Sequence, residues 1–143
     1  MRKLTLLLVA LLMTAGMAVA QKKIIYPPEF RPNMPFSPGV QFGDTLYCAG
    51  QTGSDLKTGE YPKDFEQEVR QTFERIGIIL KAAGYDYSDA VDVKVYLTDI
   101  GLFSQMNGVY TQFFKENRPA RTTVGVASLV GDARIEITVT ARK

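Results

Sequence analysis

The chain has 143 residues, 45% hydrophobic and 22% charged, with 17 Lys and Arg against 15 Asp and Glu. This length and composition suit one globular domain with its own core and exclude a largely disordered chain. The sequence contains no histidine and one cysteine, which excludes histidine-dependent nucleophilic catalysis, histidine-ligated zinc and an intramolecular disulfide. Any chemistry must therefore use Arg, Lys, carboxylates, hydroxyls, backbone groups and water.

The first twenty residues are predicted to be a secretory signal peptide. Arg2 and Lys3 give a basic start, residues 4–13 are almost continuously apolar, and a small-residue cleavage site, Ala-Val-Ala, ends at Ala20. The apolar run is shorter than the roughly 20 residues that span a bilayer, which favours cleavage over an uncleaved anchor. We therefore expect an exported, periplasmic protein that begins at Gln21 and is not held at a membrane once the signal is removed.

The mature chain is expected to be formally neutral. Residues 1–20 carry two positive charges and no negative ones, so their removal leaves 15 Lys and Arg against 15 Asp and Glu. A neutral chain without a basic stripe does not predict nucleic-acid binding.

An extended arm over residues 21–38 is predicted to lead into a folded domain over residues 39–143. Five prolines deny the arm a regular helix or a central strand. Two alternating runs around Gly43 and Asp44 then predict a β-hairpin with a two-residue turn. Alternation buries Cys48 in this hairpin, which favours an inert core thiol over a nucleophile.

Two amphipathic helices are predicted, each after an aspartate cap. Asp64 precedes an apolar stripe that ends before Gly84, and Asp99 precedes a second stripe that ends by residues 117–119. The inward stripes are Phe65, Val69, Phe73, Ile76, Leu80 and Ala83 in the first helix, and Phe103, Met106, Val109 or Tyr110, and Phe113 in the second.

Three further strands are predicted, over residues 91–97, 122–128 and 134–141, with the last two joined around Gly131. In the first of them one face is expected to be buried, namely Val91, Val93, Val95 and Leu97. The order of two strands, helix, strand, helix and two strands predicts an α+β fold in which both helices cover one face of a single sheet. The uncovered face favours oligomerisation.

Two charges stand in the last two strands, where a strand packed on a core does not need them. Arg121 opens the first strand, and Glu136 lies inside the second. One interpretation is a structural salt bridge between Arg121 and a carboxylate such as Glu136, since ion pairs at the ends of elements are common. The other is a binding site.

Several ordered motifs carry a resemblance to a known family. Near the C-terminus the chain reads PARTTV at 119–124, GVASL at 125–129 and IEI at 135–137. The other motifs are GDTLY at 43–47, AGQ at 49–51, Asp55 with KTGE at 57–60, YLTD at 96–99 and MNGVY at 106–110. Over about Pro35 to Lys143 they resemble the RidA/YjgF family of reactive-intermediate deaminases.

The resemblance implies a chorismate-mutase-like α+β sandwich with a mainly antiparallel sheet. It also implies a homotrimer in which three sheets form a central barrel, with ligand clefts between subunits. The implied activity is hydrolysis of 2-imino acids and their enamine tautomers to 2-oxo acids and ammonia, without metal or organic cofactor. The implied ligand is a small carboxylate metabolite.

Arg121 and Glu136 are the predicted catalytic residues. Arg121 offers a planar, permanently charged fork that can bind the substrate carboxylate bidentately. Glu136, expected on the neighbouring strand, could orient the attacking water or accept its proton. The resemblance implies further substrate contacts at Asn107, Gly50, Gln51, Phe36 and Thr123.

Three positions depart from the family pattern. Phe36 replaces a usual tyrosine, Ala49 a usual serine, and Thr123 a usual cysteine or small residue. The first two changes remove hydroxyl contacts, each worth on the order of 1 kcal/mol. A module that binds a small carboxylate without turning it over is therefore an alternative to the deaminase. A ribonuclease, an activity ascribed to some relatives, is disfavoured by the neutral, histidine-free mature chain.

Overall fold

The computed structural model describes residues 21–143, and the predicted signal peptide lies outside them. The described part contains two α-helices, α1 (Phe65–Ala82) and α2 (Phe103–Phe113). Its strands are β1 (Lys22–Ile25), β2 (Gly39–Phe42), β3 (Thr45–Thr52), β4 (Ala90–Leu97), β5 (Ala120–Gly125) and β6 (Ile135–Arg142).

The six strands form one sheet in the order β1-β2-β3-β6-β4-β5. Only the pair β4 and β5 is parallel among the described strands, and the other neighbours are antiparallel. Helix α1 packs on β3 and β6, and α2 packs beside α1, so that one continuous core lies between the helices and one sheet face. The predicted α+β fold with a mainly antiparallel sheet is confirmed.

Helix α1 follows the sequence prediction closely. The Asp64 carboxylate accepts a hydrogen bond of 2.7 Å from the backbone N–H of Gln67, which caps the helix. Gly84, just past the helix, has a φ of +80°, a left-handed conformation that glycine adopts without strain. Five of the six predicted stripe residues lie in the core, joined by Ile79, whose position one turn from Ile76 keeps it on the same face. The sixth, Ala83, follows the end of the helix and is half-buried against this core.

The second helix begins later than the aspartate cap predicts. Asp99 accepts a hydrogen bond of 2.8 Å from Gly101 N–H and so caps a short 3₁₀ turn over Ile100–Leu102, from which α2 continues. Met106, Val109 and Tyr110 are buried as predicted. Phe103 is exposed, because the extra turn places it at the very start of α2, beyond the edge of the core.

One sequence prediction about strands is wrong in part, and the N-terminal arm contains an edge strand, which the predicted absence of a central strand allows. A register shift between β4 and β6 turns Val91 outward, 47% exposed, and buries Ala90 at 6%. The N-terminal arm also contains strand β1, which pairs with β2 at the edge of the sheet. The prolines all follow Ile25 and therefore leave β1 intact. Cys48 is buried as predicted, and burial raises the pKa of its thiol to about 12.

A buried ion pair fixes the start of β6 against α1. Glu68 has no exposed side-chain surface, and its two oxygens accept hydrogen bonds of 2.7 and 2.6 Å from the Arg134 backbone N–H and Nε. The terminal nitrogens of Arg134 donate to the carbonyls of Pro62 and Lys63. All three nitrogens of the guanidinium thus donate a hydrogen bond that holds the segment leading into β6.

Replacing Arg134 by methionine should destabilise the protein strongly, because it leaves the Glu68 carboxylate buried without its counter-charge. Breaking a buried pair costs about 3–5 kcal/mol, and the lower end applies because Arg134 is 34% exposed. The matched control is Arg142→Met, which removes an exposed pair with Asp44 and should change stability little. Urea unfolding at one fixed protein concentration measures both, and equal midpoints would contradict this role of Arg134.

Candidate functional site

Arg121 is held by three residues of α2. Its Nη1 donates a hydrogen bond of 2.8 Å to the Asn107 side-chain oxygen. Its guanidinium lies over the Tyr110 ring at 4.5 Å from the centroid and over the Phe103 ring at 5.4 Å. Positions 103, 107 and 110 recur at helical spacing and share one face of α2. The helix therefore fixes the arginine through one hydrogen bond and two cation–π contacts.

The guanidinium faces a cavity of about 520 Å³. Asn107, Tyr110, Thr111, Arg118, Pro119 and Arg121 line it, and none of them is acidic. Within residues 21–143 Arg121 forms no salt bridge, and its Nε and Nη2 have no protein acceptor. The structure therefore does not support a structural salt bridge to Glu136. Burial raises the pKa of Tyr110, while the positive charges of Arg121 and Arg118 act in the opposite direction.

Glu136 lies in a different cavity, of about 200 Å³, together with Phe36, Gly50 and Gln51. The Glu136 carboxylate has no hydrogen-bond or salt-bridge partner in the described part of the chain. It lies directly against Gly50, where an added Cβ would stand 1.9 Å from its Oε1. Gly50 is thus required for the present position of this carboxylate.

Gln51 supports this second cavity rather than offering a free polar group to it. The side chain is 2% exposed, donates through Nε2 to the Ala49 carbonyl and accepts from Arg75 Nε, both at 3.1 Å. Arg75 also donates to the carbonyl and hydroxyl oxygens of Ser54. These contacts hold the end of β3 in place beside Gly50.

The two predicted catalytic side chains point to opposite faces of the sheet. In the strand register, Arg121 lies beside Val93, which is buried on the helix face, and Glu136 lies beside Tyr96 on the other face. The prediction that they occupy neighbouring strands is wrong, because β4 lies between β5 and β6. The helix α2 connects β4 to β5 as a parallel crossover, which puts β5 at the sheet edge. One chain therefore holds Arg121 and Glu136 in two separate cavities.

Phe36 and Thr123, two departures from the family pattern, are also divided between the two regions. Phe36 is exposed at the cavity of Glu136. Thr123 follows Arg121 by two positions on β5, and its hydroxyl oxygen is buried without a hydrogen-bond partner in the described residues. An unsatisfied buried hydroxyl costs about 1–3 kcal/mol, and Thr123 is not among the residues that line either cavity.

The sequence does not identify Arg118 as a lining residue of the cavity, or Tyr110 as the ring against which Arg121 packs. The sequence places Tyr110 in the stripe of the second helix and in the motif at 106–110, and the structure adds that its ring packs against the Arg121 guanidinium. Arg118 precedes β5 in a polar segment, where a charged residue is usually solvated. The sequence feature that could indicate its role is its position three residues before Arg121, which brings a second positive charge close to the first.

The described residues contain no group of three or more side chains suited to hold a metal ion. No helix among residues 21–143 has the length and apolar character needed to cross a membrane.

Comparison with known proteins identifies the family. The family model described as Endoribonuclease L-PSP matches residues 28–143. The chain belongs to this family, RidA/YjgF. A RutC family protein of Pyrococcus horikoshii is 44% identical over 124 residues, which cover 85% of this chain and 98% of that protein.

Two further RidA/YjgF relatives bear on function. The human 2-iminobutanoate/2-iminopropanoate deaminase is 40% identical over 108 residues, or 75% of this chain and 79% of the human protein. The crystal structure of E. coli TdcF with bound serine has a TM-score of 0.80 and 33% identity, and the match covers 85% of this chain and 98% of TdcF.

Gly50→Ala should displace the Glu136 carboxylate while leaving the fold in place. The new Cβ overlaps the flexible end of the Glu136 side chain, which can rotate away at lower cost than strand β3 can move. A crystal structure of the variant measures the displacement. Gly108→Ala in α2, where nothing lies within 4 Å of an added Cβ, is the control and should leave Glu136 unmoved. A Glu136 carboxylate unmoved in Gly50→Ala, with a shifted β3 backbone, would contradict the assignment.

Proposed function

We propose that this protein hydrolyses 2-imino acids and their enamine tautomers to 2-oxo acids and ammonia. The observation that carries the proposal is the Arg121 guanidinium, fixed by Asn107 and Tyr110 at a cavity with no acidic lining. Two relatives support it. One is named as a 2-imino acid deaminase, and another binds serine, a small amino acid.

Arg121 would hold the carboxylate of the substrate. The bond from Nη1 to Asn107 orients the guanidinium and leaves the Nε and Nη2 edge for two parallel bonds to a carboxylate. The Tyr110 ring packs against the flat face of the guanidinium and so limits its motion. The arginine therefore needs little reorganisation to bind.

We further propose that the working site forms between two copies of the chain in a homotrimer. Arg121 and Glu136 lie in separate cavities of one chain, so a single substrate can meet both only if a second copy supplies one of them. The helix-free face of the sheet also carries exposed apolar side chains, among them Tyr47 and Val124. Burial of such a face against other copies is favourable.

Glu136 would act on water in this composite site. Its carboxylate takes a proton from the water while the water oxygen bonds to the carbon of the protonated C=NH₂⁺ group, which gives a neutral tetrahedral amino alcohol. Glu136 then returns this proton to the amino nitrogen and accepts the hydroxyl proton as the C–N bond breaks and the C=O bond of the 2-oxo acid forms. The released ammonia takes up that last proton and leaves as ammonium, which restores the Glu136 carboxylate. Phe36 and Ala49 lack hydroxyl groups, so positioning of the water falls mainly on Glu136 and nearby backbone.

Arg121→Ala should lower the kcat/KM for release of ammonia and 2-oxo acid from a freshly generated 2-imino acid. The loss of charged hydrogen bonds, about 1.5–3 kcal/mol, corresponds to about 10- to 100-fold. Arg121→Lys should lie between Arg121→Ala and the natural protein, because lysine keeps the charge but not the fork. The control is Arg70→Ala, whose arginine bonds to Gln112 outside both cavities.

Unchanged release by Arg121→Ala would contradict the proposed function. Arg121-dependent binding of a 2-oxo acid without any release of ammonia would instead establish the alternative, a module that binds small carboxylates.

We also propose that the protein is exported after cleavage behind Ala20. The support is the basic, apolar and small-residue pattern of residues 1–20. The intact mass of the protein from a periplasmic fraction should correspond to a chain beginning at Gln21. Ala20→Arg should retain residues 1–20, because the cleaving peptidase requires a small residue there. A full-length chain confined to the cytoplasm would contradict export.

A further inference from the structure

We propose that the Arg121 cavity selects 2-imino acids whose side chain ends in a second carboxylate, and that Arg118 binds this second carboxylate. The inference rests on the proposed function, since it gives the first carboxylate to Arg121. It adds a substrate class, the imines of acidic amino acids, and a residue that determines specificity.

Arg118 is placed to contact the same ligand as Arg121. It precedes Arg121 by three residues and lines the same cavity of about 520 Å³. Its Nε donates a hydrogen bond of 3.2 Å to the Phe114 carbonyl, just after α2. This bond fixes the inner part of the guanidinium, and both terminal nitrogens remain without an acceptor among residues 21–143.

The charge of the cavity matches a ligand with two negative charges. Its lining contains two guanidinium groups and no carboxylate, and Tyr110 is the remaining titratable group. Two like charges at one cavity repel, and a single carboxylate would neutralise only one of them. If a second copy adds Glu136 for catalysis, the substrate still meets a lining with an excess of positive charge.

Arg118 also makes a structural contact, since arginines near a helix C-terminus often bind the last carbonyl groups. That role uses Nε and the Phe114 carbonyl alone. It does not require a preference between ligands of different charge. A charge-dependent binding preference therefore separates the two roles.

Titration calorimetry with two 2-oxo acids of equal chain length, 2-oxoglutarate and 2-oxopentanoate, tests the proposal without depending on turnover. The natural protein should bind 2-oxoglutarate about two- to fivefold more tightly at low ionic strength, as expected for an added, largely exposed ion pair. The preference should decline as salt is added.

Variants assign this preference to a residue. Arg118→Gln should bind both ligands equally, with affinity for 2-oxopentanoate unchanged, and Arg118→Lys should keep part of the preference. Arg121→Gln should weaken the binding of both ligands, and Arg70→Gln should change the affinity for neither. Thermal unfolding of each variant shows whether Arg118→Gln has kept its fold, and the lysine variant tests the charge if it has not.

Equal affinity of the natural protein for the two ligands, or binding of neither, would overturn the inference. A preference that survives in Arg118→Gln would overturn it as well. Rapid deamination of neutral 2-imino acids, without any preference for acidic ones, would support the proposed function and refute the inference about Arg118. Arg118-dependent dicarboxylate binding without deamination would support this inference and refute the proposed reaction.

Discussion

The alternation of side chains between the two faces of the sheet is the constraint on which this structure depends. Helices α1 and α2 close one face, so every second residue of β6 must be apolar: Ile135, Ile137, Val139 and Ala141 are buried. Glu136 is then directed to the uncovered face. Arg121, in register with the buried Val93, is directed to the helix face. The same alternation that builds the core thus separates the two charged groups.

This separation relates the fold to its proposed assembly. Each chain offers an arginine cavity at the outer edge of the sheet, built on α2, and a carboxylate cavity beside β3 and the N-terminal arm. The buried ion pair with Glu68 fixes Arg134, which directly precedes β6 and lies two residues before Glu136. Core packing and one buried ion pair therefore place both halves of the proposed shared site within a single chain. Such preorganisation lowers the cost of forming a complete site.

Structural features that depend on residues close in the sequence could be predicted, whereas features that depend on distant residues could not. Helix α1 could be predicted because its stripe and the Asp64 cap are local signals. The outward turn of Val91 could not be predicted, because it arises from a register shift against residues of β6 that lie about 50 positions further along the chain. The sequence also does not reveal the order of the strands. Strands β5 and β6 are consecutive in the chain and resemble a hairpin, but the parallel crossover through α2 places β4 between them in the sheet.

The residues of the candidate site also differ in whether nearby or distant parts of the sequence determine them. Arg121 could be identified from the sequence because a strand that packs on a core does not need a charged residue at its start. Its support by Asn107, Tyr110 and Phe103 depends on how α2 docks, which no local pattern specifies. Arg118 was overlooked because a charged residue outside a strand is ordinarily solvated.

Subunit mixing tests directly whether a catalytic site needs Arg121 from one chain and Glu136 from another. Arg121→Ala and Glu136→Ala chains, each weakly active alone, are unfolded together and refolded as mixed trimers. Random mixing gives about one quarter of the sites with both natural residues, so deaminase activity should return to about that fraction of the natural level. Activity that stays at the level of the separate variants, although mixed trimers form, would contradict a site shared between chains.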